Sequence, residues 1–506
     1  MSEQRTVVVA GGGIGGLAAA AALAHDGVRV IVFERAPYIR DAGGGLLLHP
    51  NGVRAADAIS PALGARIRND GHVTGDEEVR RIVDATGALL AKEHIGRPHG
   101  TPQVPILRTA LQTALLVEAS VAGAAVFLGT GVAGFTPYDD HVRVHLSDGT
   151  SLSGAALVAA DGINSAVRRT ILADGPPAYR GYTSIRGRTT SRALGQQPYV
   201  VNGRGLQLFV APVGRDTLYW TAKITAAAGT WPAKGPIGAL HDLLDAMSGW
   251  DEPFVRLVRD CDPANLVVTD VHDRDPAPRM AQGRVALLGD AAHPMVPALG
   301  QGANTALEDA VVLRAALRTH HDVPRALAAY ARERLPRTAE IQLRSRRQGA
   351  LDQGADAAGE RARNDLMRRQ GRKDSEALDI TDWTPPVTIR EAVVVPHAGK
   401  RRTPMPTPEF IATPCSPGPV WRDANVRSGP SLTSPVIRLL LPDDGVSHAA
   451  DGWAPGDEVV EGEHRDGEIT SSLWFRLSTG GWCSAVNFEP DTVAAVVAGA
   501  GLTQAA

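Results

Sequence analysis

The sequence predicts a mixed α/β protein: a Rossmann-like domain interrupted by a β-sheet insertion, then a small all-β domain. Three observations predict it. A strand, glycine turn, helix and second strand open the chain. A second glycine-rich segment follows nearly three hundred residues later, and a proline-rich stretch precedes a last block with renewed strand patterns.

Residues 7–10 read as a fully buried strand, 17–25 as the following helix and 28–33 as the second strand, a βαβ unit of about 30 residues. Helical patterns follow at 52–59 and 107–119. Short β-rich runs alternate with turns over 126–160. The stretch 181–274 is richest in strand patterns, as at 206–210 and 217–224, and reads as an inserted sheet domain. A strand at 285–288 and a helix at 305–317 return the chain to the first domain, which is expected to span 1–180 and 275–375. Residues 376–419 hold many prolines and few apolar runs, a linker signature. The block 420–490 carries four of the eight tryptophans and reads as a separate small β domain.

A length of 506 residues fits about two to four domains. The 43% hydrophobic and 21% charged content is that of a globular protein, and a net charge of -3 argues against nucleic acid or an anionic membrane as partner. Cys261, Cys415 and Cys483 make no metal or disulfide spacing, so no metal centre is expected and a reducing cytoplasm suits the chain. Residues 7–24 form an apolar run long enough to span a bilayer. Its glycines and the lack of a strongly basic leader fit a buried strand, turn and helix better.

Gly11-x-Gly13-x-x-Gly16 sits directly after a strand and opens a helix. Gly11 permits the tight turn, Gly13 lets backbone approach a pyrophosphate, and Gly16 lets the helix lie close. With Ile14 and Gly15, these residues present the free N–H groups and positive dipole end of a helix to phosphates. Glu34, ending the second strand beside Arg35, can accept hydrogen bonds from ribose hydroxyls. This fingerprint alone does not separate NAD from FAD.

The second segment, VALLGDAAHPMVPALGQGANTALEDA at 285–310, resembles the second flavin motif of the para-hydroxybenzoate hydroxylase-like (group A) FAD-dependent monooxygenases. The resemblance covers roughly residues 5–350. It implies that Asp290 bonds the FAD ribityl chain and that Pro297, Gly300, Gln301, Gly302, Ala303 and Asn304 lie against the isoalloxazine ring. LVAADGINSAVRR at 157–169 resembles the family's Asp-Gly motif, with Asp161, Ser165 and Arg168 at its polar positions and Ala159 where the family usually has glycine. The loop and helix at 43–57, including Gly45 and His49, resemble the segment passing beside the flavin. Arg108 matches an arginine that approaches the FAD phosphates, and Val132 is counted among the cofactor-binding positions.

The resemblance implies that non-covalent FAD is reduced by a transient NAD(P)H and that dioxygen is captured as a flavin C4a-hydroperoxide. An aromatic substrate, polycyclic secondary metabolites included in the family's range, is then hydroxylated or epoxidised. The flavin supplies this chemistry while the protein orients and tunes it. His49, whose loop runs near the ring, and Arg186, toward the substrate cavity, are the candidate catalytic side chains, with a hydrogen-bonded structural role as the alternative for His49. The aromatic character of the strands holding Gln207, Phe209, Tyr219 and Trp220 allows a pocket wall, with sheet core the commoner explanation. Residues 423–437 and 473–488 resemble the opening and closing strands of bacterial SH3-like domains, which implies a protein or intramolecular partner. Trp474 and Trp482 there are groove or core residues. A halogenase or reductase of the same fold, or a scaffold with a vestigial flavin fold, is the alternative. The Trp-x-Trp-x-Ile-Pro pattern of tryptophan-type halogenases is absent.

Overall fold

The computed structural model describes residues 6–38, 44–97, 100–214, 216–370, 380–386, 415–421, 424–431, 434, 436–440, 447–461 and 469–499. Most of the expected linker 376–419 lies outside these. The chain forms two compact units, residues 1–334 with 344–390, and residues 391–506 with 335–343.

In the first unit, strands Thr6–Ala10, Arg29–Glu34 and Ala125–Leu128 lie parallel, and Ala156–Ala159 and Val285–Leu287 continue the parallel sheet on the other side. The central runs Thr6–Ala10, Ala156–Ala159 and Val285–Leu287 are almost wholly buried, the pattern of a parallel sheet covered on both faces, whereas the edge strand Ala125–Leu128 is largely exposed. The Ile14–Ala24 helix has ten buried residues of eleven, so its apolar run is core. Among the described residues no helix is long and apolar enough to cross a membrane.

The unit's other large sheet has seven strands. Five strands come from the expected insertion: Ala178–Thr189, Tyr199–Gly203, Leu206–Pro212, Leu218–Thr225 and Val267–Asp273. Val79–Asp84 and Leu89–His94, from much earlier in the chain, complete it, with Val79–Asp84 pairing parallel to Tyr199–Gly203. The insertion also holds two helices, Gly235–Ala246 and Glu252–Arg259. Their Ala239, Leu243, Phe254 and Leu257 bury one sheet face with Trp220, Leu208 and Val210.

The second unit contains a six-stranded antiparallel sheet with Cys415–Gly418, His448–Glu461, Ile469–Leu477, Trp482–Ser484, Ala424–Arg427 and Val436–Leu440 in that spatial order. Val420, Trp453, Phe475 and Phe488 form its core. Trp474 is buried and its indole N–H donates to the Asp457 carbonyl at 2.9 Å, which makes it core; Trp482 is half-buried.

Candidate functional site

Three motifs distant in sequence end up side by side. The strands ending at Ala10, Ala159 and Leu287 are adjacent and parallel, so the turns that follow them, carrying Gly11, Asp161 and Gly289, share one edge. Ligands of open α/β sheets bind at this carboxyl edge. The two glycine segments also touch, because a Cβ on Gly15 would stand 2.6 Å from the Leu288 side chain and 3.3 Å from Ala306.

The first turn is tight. Gly11 has φ +101°, and a Cβ there would come within 2.4 Å of the Ala160 carbonyl oxygen. On Gly16 it would meet the Gly11 oxygen at 1.9 Å, whereas on Gly13 it would enter open space. Glu34 accepts from the Gly12 N–H at 2.7 Å through one oxygen and from the Ala36 N–H at 2.8 Å through the other. Each oxygen keeps a lone pair for another donor. Exposed Arg35 lies beside the 129–132 stretch, where a Cβ on Gly131 would sit 3.0 Å from its own Cβ, and half-buried Val132 begins the next strand. Exposed Arg108 opens its helix, its N–H donating to Gly44 at 2.8 Å.

The Asp161 carboxylate accepts from the Ala166 N–H through Oδ2 at 3.0 Å, while Oδ1 is buried without a partner. Burial pushes its pKa up. Arg168 donates to the Ala291 and Ala292 carbonyls at 3.1 and 2.6 Å, clamping the turn that bears Asp290. The exposed Asp290 carboxylate lies 3.9 Å from where a Cβ on Gly302 would stand, at the start of the Gly302–Thr319 helix.

Asn304 staples the 297–304 loop to the His49 segment. Its Oδ1 accepts from the His49 N–H at 2.9 Å, and its Nδ2 donates to the carbonyls of Leu47 and Gly300 at 2.9 and 2.8 Å. A Cβ on Gly300 would stand 3.1 Å from His49 Nε2, so the imidazole edge lies against this loop. Pro297 is exposed, Gln301 buried and Ala303 half-buried in the same stretch.

The seven-stranded sheet is asymmetric. Register aligns Arg186, Thr221 and Phe209 across three strands. Tyr219 lies on this same face, two residues from Thr221. Trp220, fully buried, points the other way into the helix-covered core. Arg186 is half-buried, donates from Nη2 to Thr269 at 2.5 Å, and has its Nε shielded without a partner. Burial lowers its pKa, Tyr219 raises it and Arg108 lowers it. Burial raises the Tyr219 phenol. The Tyr219 ring reaches Gly45, whose Cβ would come within 2.4 Å of it, so this face and the His49 segment meet. Gln207 is engaged instead by Asn202 at 3.0 Å and Lys223 at 3.3 Å, and Lys223 pairs with Asp352 at 3.0 Å.

Sequence comparison decides what this edge serves. The FAD binding domain model matches residues 4–345. The chain belongs to the FAD binding domain family.

Aurachin C monooxygenase/isomerase of Stigmatella aurantiaca is 35% identical over 396 residues, 76% of this chain and 100% of the relative. The 3-amino-4-hydroxybenzoate 2-monooxygenase of Streptomyces cremeus is 36% identical over 358 residues, 67% of this chain and 86% of the relative. The fold is similar to that of Klebsiella pneumoniae HpxO complexed with FAD and uric acid, with TM-score 0.68 and 30% identity over 76% of this chain and 97% of that one. The protein is thus an FAD-dependent monooxygenase, an oxidoreductase. The cradle fits the cofactor: open space over Gly13, backbone crowded against Gly11 and Gly16, and an unpartnered Asp161 oxygen on the same edge.

Some buried polar residues here have no role implied by the motifs around them. Asn51, Glu308 and Arg334 are fully buried around the second segment. The signal for Glu308 was the helical spacing that set it and Asp309 beside apolar neighbours.

Proposed function

We propose that this monooxygenase hydroxylates an aromatic or heteroaromatic substrate bearing an acidic oxygen, held between the ring-side loop and the Arg186 face of the seven-stranded sheet. The single observation carrying this is the shielded, unpartnered Nε of Arg186 beside the Tyr219 phenol. A guanidinium N–H kept from water without a partner favours a ligand that brings an acceptor, and a charged one most. The names of the relatives support the class: an aminohydroxybenzoate in one, uric acid in a solved complex of another.

In this reading Gly11, Gly13, Ile14, Gly15, Gly16, Glu34, Arg35, Arg108 and Val132 hold the adenosine diphosphate half of FAD. Asp161 and Asp290 take hydroxyl and ribityl groups. Gly45, Pro297, Gly300, Gln301, Gly302, Ala303 and Asn304 border the ring. Bound FAD would supply electron transfer from NAD(P)H and activation of dioxygen, and the residues around it exclude water and fix the substrate's distance. His49 contacts the loop and Arg186 orients the substrate oxyanion. We read the second unit as an SH3-like module, on the strength of its antiparallel sheet and aromatic core, with a protein as its partner and the cytoplasm as its setting.

The test is a screen of hydroxybenzoates, quinolones and purines for stimulation of NAD(P)H oxidation, followed by mass spectrometry under labelled dioxygen. The expected product gains one labelled oxygen atom. A product that gains halogen or hydrogen overturns the reading. With the active ligand, Arg186→Ala should raise KM about 10- to 100-fold, as loss of a charge-assisted bond predicts, with Arg186→Lys between. An unchanged KM removes Arg186 from the site.

A further inference from the structure

A chain of buried polar groups runs behind the flavin segment. Asn51, His293, Gln301, Glu308, Asp309 and Arg334 are each at most 2% exposed. The Asn51 amide donates to Gln301 Oε1 at 2.9 Å and to Glu308 Oε1 at 2.7 Å. Glu308 Oε2 meets Arg334 Nη1 at 2.8 Å, and Arg334 Nε donates to Asp309 Oδ1 at 2.6 Å. Asp309 Oδ2 then accepts from the Gly289 N–H at 2.9 Å and contacts His293 Nε2 at 2.6 Å. The path is continuous from the ring-side loop at Gln301 to the turn at Gly289 that precedes Asp290.

We propose that Glu308 and Arg334 are positioning residues of the flavin site, holding the Gln301 loop and the Gly289 turn at one spacing through Asn51 and Asp309. The inference rests on the reading that residues 289–304 border the cofactor. Both ends of the path lie in that segment and its middle lies outside it, so the path fixes one part of the cradle against the other. Burial makes the arrangement stiff, because no member can shift without stranding a charge away from water. A buried ion pair is weak grounds for stability, since apolar replacements of similar volume often serve as well. Retaining two carboxylates and a guanidinium here therefore points to geometry. His293 and Arg334 hold the Asp309 carboxyl at about 2 against the upward push of burial, so it stays charged.

Asn51→Leu cuts the path at its loop end while leaving Gln301 and the ion triad in place. Glu308→Gln cuts it in the middle at constant shape. Each purified apoprotein is melted thermally and titrated with FAD by fluorescence quenching, and the visible circular dichroism of the bound flavin is recorded. Wild type should bind FAD; if it does not, the reading of the segment fails. Each folded variant should bind FAD roughly five- to tenfold more weakly, the loss of one or two hydrogen bonds' worth of placement, with an altered flavin dichroism. If either folds with FAD affinity and dichroism like wild type, the inference is overturned, whatever happens to its melting temperature. The two cuts are independent, so one that fails to fold leaves the other to decide.

Discussion

On the proposed reading, the two sheets of the first unit would meet their ligands by different means. The parallel sheet presents turns: Gly11, Asp161 and Gly289 follow three adjacent strands, and recognition there is mostly backbone N–H groups and space kept free of side chains. The seven-stranded sheet presents a face, on which Arg186, Thr221, Phe209 and Tyr219 project from alternate positions. A backbone cradle accepts one cofactor and tolerates little change. A side-chain face can be rewritten residue by residue without disturbing the strands beneath, so cofactor identity and substrate identity are separable here.

That separation can be broken in three places. Gly16→Ala should have the largest effect, because its Cβ would stand 1.9 Å from the Gly11 carbonyl oxygen and backbone must move to relieve it. FAD retention should be lost together with several kcal/mol of stability, about 3 or more; a yellow variant with an unchanged melting temperature would contradict the tight turn. Next, Trp220→Ala and Phe209→Ala distinguish the faces of one sheet. Trp220→Ala should cost about 3–5 kcal/mol in denaturant unfolding, with KM unchanged in the fraction that folds. Phe209→Ala, half-buried beneath the Arg80 guanidinium, should cost less stability and raise KM. A reversed pattern would mean that the ligand face has been misplaced. The smallest effect is expected from Asp290→Ala. Its carboxylate is exposed, so the fold should hold while FAD affinity falls about tenfold, as loss of one charge-assisted bond implies. Unchanged affinity would remove Asp290 from the cradle.

The same contrast governs what could be read from the chain itself. The Gly11 to Gly16 turn was legible because its geometry is tied to fixed spacings around glycine, and the 285–310 segment through its resemblance to a family motif. The pairing of Val79–Asp84 with Tyr199–Gly203 was not, since no local pattern says which distant strand completes a sheet. The helices Gly235–Ala246 and Glu252–Arg259 were hidden by the strand-rich composition around them. Trp220 takes the sheet-core reading, the commoner of its two. Tyr219 and Trp220 are consecutive in one strand, and period-two alternation forbids both from lining the same wall. The buried path through Asn51, Glu308 and Arg334 joins three helices, and paired charges are visible only once those helices are packed.

The contact of Gly15 with Leu288 and Ala306 has a temporal meaning. A cradle built from residue 11 and residue 302 cannot exist until both have been made. At ordinary synthesis rates of about 5–20 residues per second, roughly 15–60 s separate the emergence of its first turn from its last. Throughout that interval the Ile14–Ala24 helix, ten of whose eleven residues are buried in the finished protein, lacks one of its permanent neighbours. The cofactor therefore cannot guide early folding. It can only stabilise a cradle that the chain has already closed, by binding the folded state alone.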